Sequence, residues 1–172
     1  RGDLVGCGGG HGGAAGYMGL RVGCRVTGMD LTADFGEVAR HLTRRMGMES
    51  TGVFEEGDAL RMPFADASFE GAYSMNVSMN IADKATLYAE MRRVAKTGGR
   101  LAFFDILAGP EQPIHFPVPL AEDASLSFPA NPAPPPPGVD SAGFTVPPRA
   151  AGPRPPRPPA PPVGGGPPPL GP

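Results

Sequence analysis

Residues 3–10, Asp-Leu-Val-Gly-Cys-Gly-Gly-Gly, run a short strand-like stretch straight into a glycine-dense turn, and a second such stretch, Val26 to Met29, ends on Asp30. No other feature restricts the possible folds as tightly. A strand, a glycine turn, a helical stretch and a second strand closed by a carboxylate make the first half of a nucleotide-binding α/β unit. Glycine permits such an approach because a Cβ would collide with a ligand held against the backbone. Gly6, Gly8 and Gly10 give the pattern GxGxG, and Gly12 and Gly13 open the helix that follows. Asp30 is placed to accept hydrogen bonds from both hydroxyls of a ribose, so an adenosine-like ligand half is expected, with Leu31 beside it. The plainer reading of Asp30 is an ordinary acid at a helix N-terminus. No Lys-Ser or Lys-Thr follows the turn, which excludes a P-loop and argues against phosphoryl transfer.

Strands and helices are predicted to alternate through the first two thirds of the chain. Residues 3–5 and 25–29 read as the first two strands, with a short helix over 14–20 that Gly16 and Gly19 weaken. Thr32 is a good N-cap, and Phe35, Val38, Leu42 and Met46 then fall on one helical stripe that Gly47 can end. Strands are expected over 53–57 and 69–75. Asp83 can cap a helix reaching Lys96, with Leu87, Met91 and Val94 on its buried face and Gly98-Gly99 as its stop. Residues 100–107 form the strongest strand of all. The alternation implies a mostly parallel sheet of about five strands with flanking helices.

A third element follows the third strand. Asp58-Ala59-Leu60 offers an acid for an adenine amine and hydrocarbon to flank the ring, although a surface turn around Pro63 and Asp66 would need the same residue types. The overall charge of −2 and a pI near 5.9 suggest no nucleic-acid surface. Cys7 and Cys24 form no CxxC pair, and a reducing cytoplasm fits that usage. His11, His41 and His115 have no metal-ligand spacing. No apolar run approaches the roughly 18 residues of a membrane span, and no signal peptide is visible.

Taken as a set, the glycine loop, Asp30, Asp58-Ala59, residues 62–74 (MPFADASFEGAYS) and residues 91–105 (MRRVAKTGGRLAFFD) resemble the class I S-adenosylmethionine-dependent methyltransferases, of Rossmann-like fold. The resemblance spans roughly residues 3–107. Residues 79–84 and 116–123 are similar to the branch holding the sarcosine and dimethylglycine N-methyltransferases and the quinone C-methyltransferases. The resemblance implies that Gly6, Gly8 and Gly10 lie under the methionine half of the cofactor. It implies that Asp30, with Leu31, binds the ribose and that Asp58 and Ala59 sit at the adenine. Asn76, after the fourth strand, would line the methyl-transfer pocket and is the candidate catalytic residue. A small-molecule methyl acceptor follows, a small amine first and a quinone ring carbon second; the oligomeric state stays open. Departures stand out: the loop carries about two residues more than the family pattern, Asp3 is separated from Gly6 by two residues rather than one, Asn76 stands where related enzymes often carry a histidine, and the family's sixth and seventh strands have no convincing counterpart. An NAD-dependent oxidoreductase shares the glycine loop and ribose acid, but not Asp58-Ala59. A degenerate cofactor-binding fold that has lost its chemistry is the non-enzyme alternative.

The domain carrying these motifs is expected over residues 1–128. The chain begins at Arg1 directly on a core strand, which reads as a truncation. From Pro129 to Pro172 the composition shifts: that stretch holds 19 of the 24 prolines, no lysine and a single acid, Asp140. Proline fixes φ and lacks a donor, so a disordered, partly polyproline tail that leaves the sheet untouched is expected. An SH3 or WW ligand and a reading-frame artefact are the other readings of that tail. Ala142-Gly143-Phe144-Thr145-Val146 is similar to the start of a sixth strand.

Overall fold

The computed structural model describes residues 2–108, 114–118, 121–131 and 138–145 of the 172. Five strands, β1 (Asp3–Cys7), β2 (Arg25–Asp30), β3 (Gly52–Glu56), β4 (Phe69–Met75) and β5 (Ala95–Phe104), alternate with three helices, α1 (Gly13–Val22), α2 (Ala33–Arg45) and α3 (Lys84–Val94). The sheet order is β3-β2-β1-β4-β5, and every neighbouring pair is parallel. This is the parallel five-strand sheet expected from the alternation, in the Rossmann-like arrangement that the resemblance implies. The order reverses between β1 and β4, where open α/β sheets leave a crevice at the carboxyl ends of their strands.

Alternation along β1 sends its side chains to two cores. Val5 and Cys7 join Met29, Leu87, Tyr88, Met91 and Val94 on the α3 side, whereas Leu4 joins Ala15, Val26, Ala39, Phe54 and Tyr73 under α1 and α2. Burial on both faces explains why the strand reads as an apolar run without polar alternation.

Two helices depart from the periodicity. Along α2, Phe35, Val38, Leu42 and Met46 are 39–62% exposed, and the residues that meet the sheet are Gly36 and Ala39. Small residues let the helix axis approach the strands closely, so the apolar stripe faces outward. Thr32 is the N-cap residue as expected, but its hydroxyl caps nothing. α3 begins at Asp83 as read, with the carboxylate accepting from the Thr86 amide at 3.0 Å. It stops at Val94, before Gly98-Gly99. Those glycines lie inside β5, where the register with β4 slips between Phe69 and Gly71. Gly98 has φ +80°, and a Cβ on Gly99 would stand 2.8 Å from the Lys96 carbonyl oxygen and 2.9 Å from that of Glu70.

The segment after β5 is partly tied to the domain. The Ala108 amide donates to the Ala130 carbonyl at 2.9 Å, and the Phe128 amide to that of Met79 at 2.6 Å. Much of the proline-rich stretch lies outside the described residues; within it, some of residues 138–145 lie against the core. Val139 is only 3% exposed, Ala142 and Phe144 pack beside it, and Arg92 lies over the Phe144 ring. Residues 138–143 form turns.

Candidate functional site

The carboxyl ends of all five strands share one edge, since register pairs Cys7 with Met29 and Ser74, Asp30 with Glu56, and Met75 with Phe104. The glycine turn leaves β1 at that edge and doubles back on β2. The Gly8 and Gly9 amides both donate to the Met29 carbonyl at 2.9 Å, and Gly12 closes the turn by donating to Gly9. The turn ends on Gly12 at φ +82° before α1 begins.

Gly6, Gly8, Gly9 and Gly12 are required by the protein's own packing, the last because a Cβ there would stand 2.7 Å from the Phe54 ring. A Cβ on Gly6 would lie 2.3 Å from the Tyr73 ring and hydroxyl, and one on Gly8, at φ +72°, 1.9 Å from Val77 Cγ2. Gly9 packs against the Gly28 backbone. Gly10 differs: its φ is +47°, and nothing stands within 4 Å of the Cβ position. The open side of the loop is therefore at Gly10.

Asp30 meets the loop there. Its Oδ2 accepts from the Gly10 amide at 2.9 Å and its Oδ1 from the Thr32 amide at 3.0 Å. The carboxylate is thus held by backbone donors, and each oxygen keeps a further lone pair. Leu31 beside it is 74% exposed. The Gly57 amide donates to the Asp30 carbonyl at 2.9 Å, bringing the loop after β3 alongside. On that loop Asp58 is exposed, with Oδ1 accepting from the Leu60 amide at 2.8 Å, whereas Ala59 packs against the core. Arg93 fixes the same loop from α3. It donates to the carbonyls of Phe64 at 2.7 Å and Met62 at 3.0 Å, and pairs with Glu90 and Asp66. The Arg93 hydrogen bond is the main reason that the Glu90 carboxyl titrates below its ordinary range.

Asn76 stands across the reversal point from the glycine loop. It is half-buried and left-handed, at φ +56°, and its amide donates to the Phe104 carbonyl at 2.7 Å. Left-handed backbone is tolerated best by Asn among non-glycine residues. The expected set is thereby brought to one edge: Gly10, Asp30, Leu31 and Asp58 on one side, Asn76 on the other, with Gly6 and Gly8 underneath.

A second polar cluster was missed in the sequence. Asp105, the residue after β5, accepts from the Val77 amide at 3.0 Å and from the Ser78 hydroxyl. Lys84 donates to the carbonyls of Ser78 at 2.6 Å and Ile81 at 2.8 Å. Burial, the larger influence, pulls the Lys84 ammonium below its usual range, partly offset by the Asp105 charge. The Tyr88 hydroxyl, raised mainly by burial, shares a hydrogen bond with Ser78. The available signal was the position: Asp105 follows its strand as Asp30 ends its own. Deeper in, burial pushes the Cys7 thiol up to about 12, so it behaves as core rather than as a nucleophile. Among the described residues no group of three His, Cys, Asp or Glu side chains is placed to hold a metal ion, and no helix is long and apolar enough to cross a membrane.

Comparison with known proteins gives this edge a family. The sequence model of a family described as a methyltransferase domain matches residues 4–103. The methyltransferase GfsG of Streptomyces halstedii is 35% identical over 103 residues, 60% of this chain and 36% of that protein. The glycine/sarcosine/dimethylglycine N-methyltransferase of Actinopolyspora halophila is 30% identical over 105 residues, 61% of this chain and 19% of that one. Among solved structures, geranyl diphosphate C-methyltransferase from Streptomyces coelicolor A3(2), crystallised with Mg2+, geranyl diphosphate and S-adenosyl-L-homocysteine, superposes with a TM-score of 0.57 at 25% identity. That match covers 60% of this chain and 38% of the other. The chain spans well under half the length of each of these proteins.

Proposed function

The chain belongs to the methyltransferase-domain family, and from that premise we propose that it binds S-adenosylmethionine at the edge described above and donates the methyl group to a small molecule. The observation that carries the reading is the Asp30 carboxylate, fixed by the Gly10 and Thr32 amides beside open space. A pair of vicinal hydroxyls matches two oxygens that each retain a lone pair, and the exposed Leu31 side chain gives a flat ring an apolar face. Asp58, on the neighbouring loop, keeps Oδ2 for an exocyclic amine. The residues present therefore suit the cofactor.

When bound, S-adenosylmethionine supplies a methyl on a positively charged sulfur, already activated for displacement. The chain has correspondingly little covalent chemistry to perform. Its contribution is orientation, which alone accounts for a large part of the barrier in reactions of this kind. Asp30 and Asp58 anchor one end of the ligand cleft. Asn76 and the loop held by Asp105 and Lys84 form the wall at the reversal point, where the acceptor must approach. An acceptor that carries a proton must release it, and the Ser78–Asp105 pair in that wall is a group able to receive it, directly or through water.

The acceptor atom is a finer question. The N-methyltransferase relative favours an amine nitrogen, and the geranyl diphosphate enzyme favours carbon equally. Calorimetric titration with S-adenosylhomocysteine and with NAD tests the cofactor. Saturable binding of the first and none of the second is expected. Preference for NAD returns the oxidoreductase reading, and binding of neither leaves a degenerate fold.

A further inference from the structure

Two cavities, of about 290 and 220 Å³, adjoin between the loop after β4 and the segment after β5. Met79, Ile106 and Leu107 line both. Resting on the methyl-transfer reading above, we propose that they hold the acceptor, and that it is an uncharged, largely apolar small molecule with one polar group.

The lining carries the argument. The larger cavity has no ionisable side chain among its described lining residues, and only Asn80 and Ser127 are polar there. The smaller one has Asp105, Tyr88 and Ser78, linked to one another through the Ser78 hydroxyl. An amino-acid acceptor would bring a carboxylate into this space, where it would need a cation. Lys84 is the nearest, and it is committed to two carbonyl oxygens and to the field of Asp105. A carboxylate there would instead stand beside Asp105, at the cost of like-charge repulsion. An apolar acceptor meets no such cost. Ile106 and Leu107 are 53% and 43% exposed, and a ligand with hydrocarbon bulk would cover both. Together the cavities fall in the size range of small-molecule pockets. Their wall continues into the loop at the reversal point, since Ser78 follows Val77, whose side chain packs over Gly8.

The test is calorimetric titration with two probes, 1-naphthol and sarcosine, with the protein both alone and saturated with S-adenosylhomocysteine. Binding of 1-naphthol at least tenfold tighter than sarcosine is expected. Leu107→Glu puts a carboxylate in the wall of both cavities at a half-exposed position that tolerates charge. It is expected to weaken 1-naphthol at least tenfold while S-adenosylhomocysteine affinity stays within twofold. Ile106→Asp provides the second variant, and circular dichroism confirms that each folds. Tighter binding of sarcosine, or 1-naphthol affinity indifferent to both variants, overturns the proposal. Failure of S-adenosylhomocysteine to bind strikes the cofactor reading instead, while titration of the protein alone still reports on the cavities.

Discussion

Asp30 and the glycines around it make two kinds of demand that substitution can separate. Asp30→Ala removes an acceptor for the Gly10 and Thr32 amides together with the proposed ribose contacts. Hydrogen bonds to charged groups are worth roughly 1.5–3 kcal/mol each. S-adenosylhomocysteine affinity is expected to fall at least tenfold, as read by calorimetry, and Asp58→Asn to cost less, because an amide oxygen still accepts. Unchanged affinity in Asp30→Ala removes the assignment. Gly8 and Gly10 give the complementary contrast. Gly8→Ala forces a Cβ against Val77 in a left-handed backbone, which adds overpacking of about 1–3 kcal/mol to a conformational cost of about 1–2 kcal/mol. Gly10→Ala incurs only the conformational part, since the space there is open. Denaturant unfolding is expected to rank Gly8→Ala well below Gly10→Ala, while ligand affinity in Gly10→Ala drops more than its stability explains.

Among the elements, α3 does the most positioning. Its N-terminus is capped by Asp83, whose carboxylate accepts from the Thr86 amide and, at 2.7 Å, from the Thr86 hydroxyl. Asp83→Ala is expected to lower the melting temperature by a few degrees. Its other end holds the loop after β3 through Glu90 and Arg93, and that clamp is pH-sensitive. The Glu90 carboxyl titrates below the ordinary 4.5 in the folded protein, chiefly because of Arg93. Unfolded chains therefore bind the extra proton first as pH falls. The contribution is complete above about 4.5 and is lost as pH drops through the lower, folded value. Glu90→Gln is expected to be less stable than the parent at pH 7, with the difference vanishing in strong acid. A difference that grows below pH 4.5 contradicts the clamp.

At the scale of the whole molecule, the unexpected contact is that between 138–145 and α3. Burying a valine fully contributes about 1.5–3 kcal/mol, and Val139 is nearly fully buried against Tyr88 and its neighbours. Val139→Ala is expected to cost about 1–2 kcal/mol, and deletion of residues 129–172 at least as much, in chemical denaturation. A deletion variant as stable as the full chain shows that this contact contributes nothing. On the same side of the molecule β5 forms one edge of the sheet, with Phe104 66% exposed.

How much could be read without coordinates follows from what is local. Strand β4, from Phe69 to Met75, the Asp83 cap and the buried Leu87–Met91–Val94 stripe were legible because propensity, capping and a single buried face agree within a few residues. The glycine loop, Asp30 and Asp58 were legible as a set because their order along the chain is imposed by strand-turn-helix succession. The sequence did not distinguish the two faces of α2, since Gly36 and Ala39 share the helical period of Phe35, Val38 and Leu42, and only the closeness of the sheet selects the small ones. Nor did it separate glycines that serve packing from one that leaves space, because Tyr73 and Val77 approach Gly6 and Gly8 from β4 and the loop after it, more than sixty residues away. The Asp105–Ser78–Lys84 cluster and the place of Val139 are likewise long-range. Chain order determined which residues exist at each turn; tertiary packing alone decided which of them meet, because side chains meet across strands that are neighbours in space and distant in sequence.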